Sequence, residues 1–115
     1  VESIDTIDPI AEGRSIRYSE RFSEKGVNVN FLEKVNTNTL NIRTYERGVE
    51  GETLSCGTGC TAAALSLGLQ QELASVNLQA QGGLLRVDFK KENGRFSNIY
   101  LIGPAKAVFQ GQIEV

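Results

Sequence analysis

Histidine and methionine are missing from this chain of 115 residues, and cysteine occurs only twice, at Cys56 and Cys60. A structural zinc site needs four ligands, and two cysteines without histidine support make a poor one, so no metal is expected. The two cysteines lie four positions apart. On a helix they would stack on one face, a geometry that rarely suits a disulfide, and the spacing does not resemble a secreted disulfide framework. An excess of one charge is also lacking: 12 Lys and Arg stand against 14 Asp and Glu, a net charge of −2. Lys90-Lys91 is the densest basic cluster, so nucleic acid is not expected as a partner. No apolar run approaches the roughly 20 residues needed to cross a bilayer, and no signal peptide is visible. No membrane partner is therefore expected, and a cytoplasmic location is the default expectation. The chain begins at Val1 in what reads as mid-segment, which points to a cut or processed piece.

What is present suits one folded domain with a modest core: 40% of residues are hydrophobic and 23% charged, close to the globular average. Asp8-Pro9 reads as a helix start, with Asp8 as cap and Pro9 preset for the first turn. That helix should run to about Arg17, weakened by Gly13. Alternation predicts strands from Val27 to Glu33 and from Leu40 to Glu46, followed by a glycine-rich loop from Arg47 to Gly57. The apolar positions from Thr58 to Ala74 wrap most of a helix circumference and predict a helix buried on nearly all sides. Period two then returns in Val76, Leu78 and Ala80 and in Leu85, Val87 and Phe89, joined by a Gly82-Gly83 turn. Asn93-Gly94 marks another turn, with strands expected near Ile99–Ile102 and over Ala107–Val115. One apolar helix among about six strands implies an α+β fold, a curled mixed sheet around a central buried helix.

The stretch that carries chemistry runs from Tyr45 to Cys60. Cys56 falls immediately before the glycine-rich helix start Gly57-Thr58-Gly59. First-turn amides have no intrahelical partner, and the helix dipole puts partial positive charge there, which favours a thiolate. Glycines let a ligand approach the backbone, and the same amides can hold a carboxylate. The alternative is that a free cysteine is only a small buried hydrophobe. That reading suits Cys60, inside an Ala-rich apolar run; for Cys56 the residues alone leave both readings open. Asn28 taken alone reads as a strand-edge residue, and Glu46-Arg47 as a solvated pair.

Four segments resemble the second half of diaminopimelate epimerases in order and spacing: Gly26-Val27-Asn28-Val29-Asn30-Phe31, Tyr45-Glu46-Arg47-Gly48, Glu52-Thr53-Leu54-Ser55-Cys56-Gly57-Thr58-Gly59 and Gly103-Pro104-Ala105. The resemblance spans essentially the whole chain. Proline racemases and phenazine-pathway isomerases share the cysteine-glycine element or the pseudo-twofold architecture, but not the Glu-Arg-Gly approach to it. The resemblance implies a two-domain, cofactor-independent amino-acid epimerase whose halves clasp the substrate, each presenting one cysteine from the start of a central helix. Residues 1–115 would be the carboxy-terminal domain and Cys56 the second catalytic cysteine. Gly57 and Thr58 would bind the reacting carboxylate through their amides, while Asn28, Glu46 and Arg47 would hold the far end of a small amino-acid substrate.

The same resemblance implies an amino-terminal domain as the missing partner, allows a homodimer, and requires no cofactor. The chain departs from the family in lacking the first half, with its cysteine, and a histidine that precedes this stretch. Cys60 also takes a position that the family gives to a small residue. Three rival readings differ in class: an isomerase of the same architecture acting on another substrate, a non-catalytic binding half, and a thiol redox module built on Cys56 and Cys60.

Overall fold

Asp8 and Pro9 start the first helix, as the sequence predicts. In the computed structural model, which describes all 115 residues, α1 spans Pro9–Arg17. The Asp8 carboxylate accepts hydrogen bonds from the Ile10 and Ala11 amides at 3.0 and 3.1 Å, satisfying two donors that the helix start leaves open. Gly13, expected only to weaken this helix, is buried, and a Cβ there would collide with Cβ and Cγ of Tyr45, at the base of its ring. Its place in the helix is thus explained by close packing rather than by flexibility.

The remaining elements are β1 (Val29–Asn36), β2 (Thr39–Glu46), β3 (Gly51–Thr53), α2 (Gly57–Gln70), β4 (Ser75–Ala80), β5 (Gly83–Glu92) and β6 (Arg95–Ile102). The strands form one mixed sheet in the order β1-β2-β4-β5-β6, with β3 paired to β2. β1 occupies one edge of β2, so β3 and β4 share the other: β3 opposite Thr44–Glu46, and β4, in parallel, opposite Thr39–Asn41. All other pairings are antiparallel. Residues Gln81 and Gly82 join β4 to β5, whose ladder closes at Ala80 and Gly83. Asn93 and Gly94 join β5 to β6 with φ of 51° and 73°, the left-handed pair that a two-residue hairpin demands.

The core lies between α2 and the sheet. Cys60, Ala63, Ala64 and Leu67 of the helix pack with Leu40 and Ile42 of β2, Val76 and Leu78 of β4, and Val87 and Phe89 of β5. Small residues set how closely the two layers approach. A Cβ at Gly68 would sit 2.7 Å from the Phe89 ring, which itself meets Phe96 edge-on at 5.2 Å. The helix touches β1, β2, β4, β5 and β6, strands from both sides of it in sequence. The fold is therefore α+β, with a mixed sheet curled about the helix. The sheet does not close into a barrel, and it leaves a stripe of α2 at Thr58, Ala62, Ser66 and Leu69 exposed.

Several boundaries differ from the sequence expectation. β1 begins at Val29 rather than Val27, which leaves Asn28 on the approach to the strand. The loop expected over Arg47–Gly57 contains β3, whose three residues are too few to show a period. α2 ends at Gln70 instead of Ala74: Gln71 is extended, and the Lys91 ammonium donates to the Gly68 and Gln71 carbonyls at 2.8 and 3.4 Å. The strand expected over Ala107–Val115 is not formed. Residues 103–115 join no ladder and are exposed throughout. Alternation marks a segment able to pair, but a strand needs an edge within reach, and this segment meets none. The radius of gyration is 16.0 Å against about 13 Å for a compact chain of this length, as an extended terminal segment dictates.

Candidate active site

Cys56 is the N-cap of α2, with extended backbone at φ −129° and ψ 109°. Its carbonyl accepts the Cys60 amide at 2.8 Å, the first turn of the helix. Its side chain makes no capping bond, and no other side chain caps the helix. The Gly57, Thr58 and Gly59 amides at the helix start are therefore left to an external acceptor. The approach to the cysteine is held by the tip of the β4–β5 hairpin, where the Gly82 amide donates to the Leu54 carbonyl at 2.8 Å. A Cβ at Gly82 would press to 3.2 Å from that carbonyl oxygen.

Two polar side chains meet the Cys56 sulfur. Thr58 Oγ1 lies 3.4 Å from Sγ, and Asn28 Nδ2 donates toward it at 3.9 Å. The amide of Asn28 cannot turn freely, because its Oδ1 accepts the Arg47 backbone amide at 2.9 Å. Arg47 Nη1 donates to the Lys25 carbonyl at 2.7 Å, and Glu46 Oε2 accepts from Thr53 Oγ1 at 2.9 Å, tying the end of β2 to β3. Of the six residues singled out from the sequence, Asn28, Cys56 and Thr58 meet at the sulfur, with Gly57 beside them in the chain. Arg47 joins them through its backbone. Glu46 and Arg47 form no ion pair with each other, and the carboxylate of Glu46 engages the β3 hydroxyl instead.

Sequence reasoning passed over Glu50, in the turn that follows Arg47. Its φ is 55°, left-handed for a residue that carries a long side chain. The carboxylate accepts from the Gly48 amide at 3.1 Å, the Tyr45 hydroxyl at 2.9 Å and Arg17 Nε at 3.2 Å. The Gly48 amide above all holds this carboxyl below the usual glutamate range, with Tyr45 and Arg17 adding to the effect. Burial, and then the Glu50 carboxylate, push the Tyr45 phenol up. Arg43 makes a second tight pair, bidentate to Glu52 at 2.6 and 2.7 Å. Its hydrogen bond to Glu52 raises its pKa further. The alternating Thr-Tyr-Glu and Gly-Glu-Thr segments carry no period that announces either pair.

The two thiols differ in environment. Cys60 has no exposed surface and belongs to the core, and burial pushes its thiol up. Cys56 keeps 9% of its surface at the mouth of the helix start. Iodoacetamide at neutral pH should therefore label Cys56 first, by an order of magnitude or about that in rate. Peptide mass spectrometry reads the site, and equal or preferential labelling of Cys60 in the folded chain would reverse the assignment.

Beside the thiol, Gly57, Thr58, Thr61, Ala62 and Leu65 of α2 face Leu101 of β6 across an open groove of about 500 Å³. No three Cys, Asp or Glu side chains converge anywhere as a metal site would require. No helix is long and apolar enough to cross a membrane. The fold and site together define an α+β domain with one thiol at an uncapped helix start. The chain belongs to the diaminopimelate epimerase family, whose model matches residues 1–108. It is 45% identical over 114 residues to the diaminopimelate epimerase of Flavobacterium psychrophilum, covering 97% of this chain and 44% of that protein. Over 116 residues it is 40% identical to the enzyme of Aquifex aeolicus, covering 98% of this chain and 40% of that protein. The corresponding match in Archaeoglobus fulgidus is 46% over 112 residues, 96% of this chain and 37% of the relative. The chain thus spans less than half the length of these relatives, all of which are isomerases by name.

Proposed function

We propose that the chain supplies one catalytic half of a cofactor-independent amino-acid epimerase that converts LL- to meso-diaminopimelate for lysine and cell-wall synthesis in the cytoplasm. The observation that carries this reading is Cys56 Sγ at the uncapped start of α2, within reach of Asn28 and Thr58, in a chain of this family. Inversion requires removing a proton from one face of the α-carbon and returning one to the other. In this reading the Cys56 sulfur serves one face, as thiolate base or thiol acid depending on direction, and a thiol of the amino-terminal domain serves the other. The charge that develops on the α-carboxylate is met by the Gly57 and Thr58 amides, whose dipoles are already oriented. Asn28, Glu46 and Arg47 hold the distal end of the substrate. Arg47 commits Nη1 to the Lys25 carbonyl, which leaves other N–H donors at the edge of its planar guanidinium for a carboxylate.

The partner in this reading is the remainder of the protein, the amino-terminal domain. Its support is the length of the relatives and the uncovered groove along Thr58, Thr61, Ala62 and Leu65 beside the thiol. A single thiol reaches only one face, so the chain alone should be inactive. The experiment follows deuterium uptake from heavy water into diaminopimelate, with the chain alone and with a separately expressed first half. We expect exchange and inversion only from the pair. Robust inversion by the chain alone would sink the two-thiol mechanism, and an inactive pair with both halves folded and associated would sink the epimerase assignment.

A further inference from the structure

Between α1 and the thiol runs a continuous set of contacts that the epimerase reading leaves unused. Arg17, at the last turn of α1, sends Nε to Glu50 at 3.2 Å and Nη1 to the Ser23 carbonyl at 3.2 Å. It thereby joins the turn after β2 to the loop before β1. Glu50 stands in a left-handed conformation that a glycine would adopt at lower cost, yet its carboxylate collects three donors: the Gly48 amide, the Tyr45 hydroxyl and Arg17. The Glu50 amide closes the turn on the Glu46 carbonyl at 2.8 Å. Tyr45 is fully buried, with its ring fixed against Gly13. The turn so held is the one that aims the Arg47 amide at Asn28 Oδ1, and the fixed Oδ1 leaves Nδ2 pointing at Cys56 Sγ. On the other side, Gly26 is wedged between the Arg47 side chain and the Arg17 guanidinium: a Cβ there would lie 2.5 Å from Arg47 Cδ and 2.8 Å from Arg17 Cζ.

We infer that Glu50, held by Arg17 and Tyr45, is a positioning residue that sets the Arg47 amide and, through it, the orientation of Asn28 at the Cys56 sulfur. Local strain kept in place by surrounding hydrogen bonds is a common companion of functional sites. Here the strained residue touches neither the sulfur nor the groove; it acts through the turn. The inference rests on the epimerase reading for its purpose, while the geometry it asserts is testable without activity.

The test compares the chain with Glu50→Gln well below the unfolding temperature. Glutamine keeps the length but offers one acceptor oxygen and an amide that faces donors. The Arg47 amide should exchange with solvent about fivefold faster, the scale of one weakened hydrogen bond, and the iodoacetamide rate of Cys56 should change by about threefold or more. The Asn77 and Phe89 amides, bonded to the Asn38 and Ala74 carbonyls in the sheet, should keep their protection. If the Asn77 and Phe89 amides lose protection as much as Arg47 does, the carboxylate merely stabilises the fold and the inference is overturned. It is overturned equally if neither Arg47 exchange nor Cys56 labelling moves. Should Glu50→Gln not fold, Tyr45→Phe decides: it removes one donor and keeps the ring, and a smaller shift in the same two readouts supports the inference, whereas none overturns it. An inactive wild-type pair of halves strikes the epimerase reading alone and leaves these measurements as they stand.

Discussion

Cys56→Ala, in the chain combined with a separately expressed first half, is expected to lower α-proton exchange on the face of diaminopimelate that Cys56 serves by about two to four orders of magnitude, the usual contribution of a positioned acid or base. No neighbour can take over at that face. Thr58 Oγ1 and Asn28 Nδ2 are the polar groups at the sulfur, and neither a hydroxyl nor an amide accepts a carbon-bound proton at neutral pH. The fold should survive, because Cys56 lies outside the ten-residue core cluster and caps nothing through its side chain. Cys60→Ala is the matched control. It removes a fully buried sulfur from the core, so it should cost stability while leaving exchange within about twofold of wild type. Exchange is read by mass spectrometry of the recovered amino acid. A Cys56→Ala pair that keeps more than a tenth of the wild-type rate would show that the essential base lies elsewhere.

The largest effect on stability is expected at Leu78. It is fully buried at the centre of β4, with Leu40 opposite it in β2 and Leu85 opposite it in β5, and it packs in the same cluster as Leu67 of α2 and Phe89 of β5. Leu78→Ala removes the side chain where the two parts of the sheet join, so little can move in to fill the space. Substitutions of this kind cost about 2–5 kcal/mol, a large part of the roughly 5–15 kcal/mol that holds a domain together. The urea midpoint of the isolated chain should fall steeply with the slope of the transition unchanged. Leu69→Ala, on the exposed stripe of α2 at 60% exposure, should stay within about 0.5 kcal/mol of wild type. Equal losses from the two would mean that the stripe is covered in the isolated chain, contrary to the structure.

Much of this was legible from residues alone. Asp8-Pro9, Asn93-Gly94 and the alternating strands carry their own local physics, and the structure places elements where that physics directs. Cys56 stood out because glycine follows it at a helix start, a pattern that says where backbone amides are free. Other features were hidden because their causes are tertiary. Gly13 looked like a helix defect, and only the ring of Tyr45 against it explains the missing Cβ. β3 is too short to show a period and exists because β2 offers an edge beside β4. The segment after Ile102 alternates like a strand, yet pairing is decided by an available edge. Glu50 left no mark at all: a glutamate in a polar turn is ordinary, and its function emerges only from three donors supplied by α1, β2 and the turn itself.

The parallel seam between β2 and β4 has a kinetic consequence. Only Thr39, Leu40 and Asn41 pair across it, with Asn77, Leu78 and Gln79, and the chain between the partners includes β3, the cysteine and all of α2. On either side lie antiparallel meanders made of neighbours in sequence, β1-β2-β3 and β4-β5-β6. Each can zip from its own turns, whereas the seam must first close a long loop. The expected order of assembly is two meanders early and their docking through α2 last, the docking that brings the Cys56 loop under the β4–β5 hairpin. Refolding should then recover strand signal before Cys56 becomes protected from thiol reagents, since the docking that completes the sheet is also the one that completes the site.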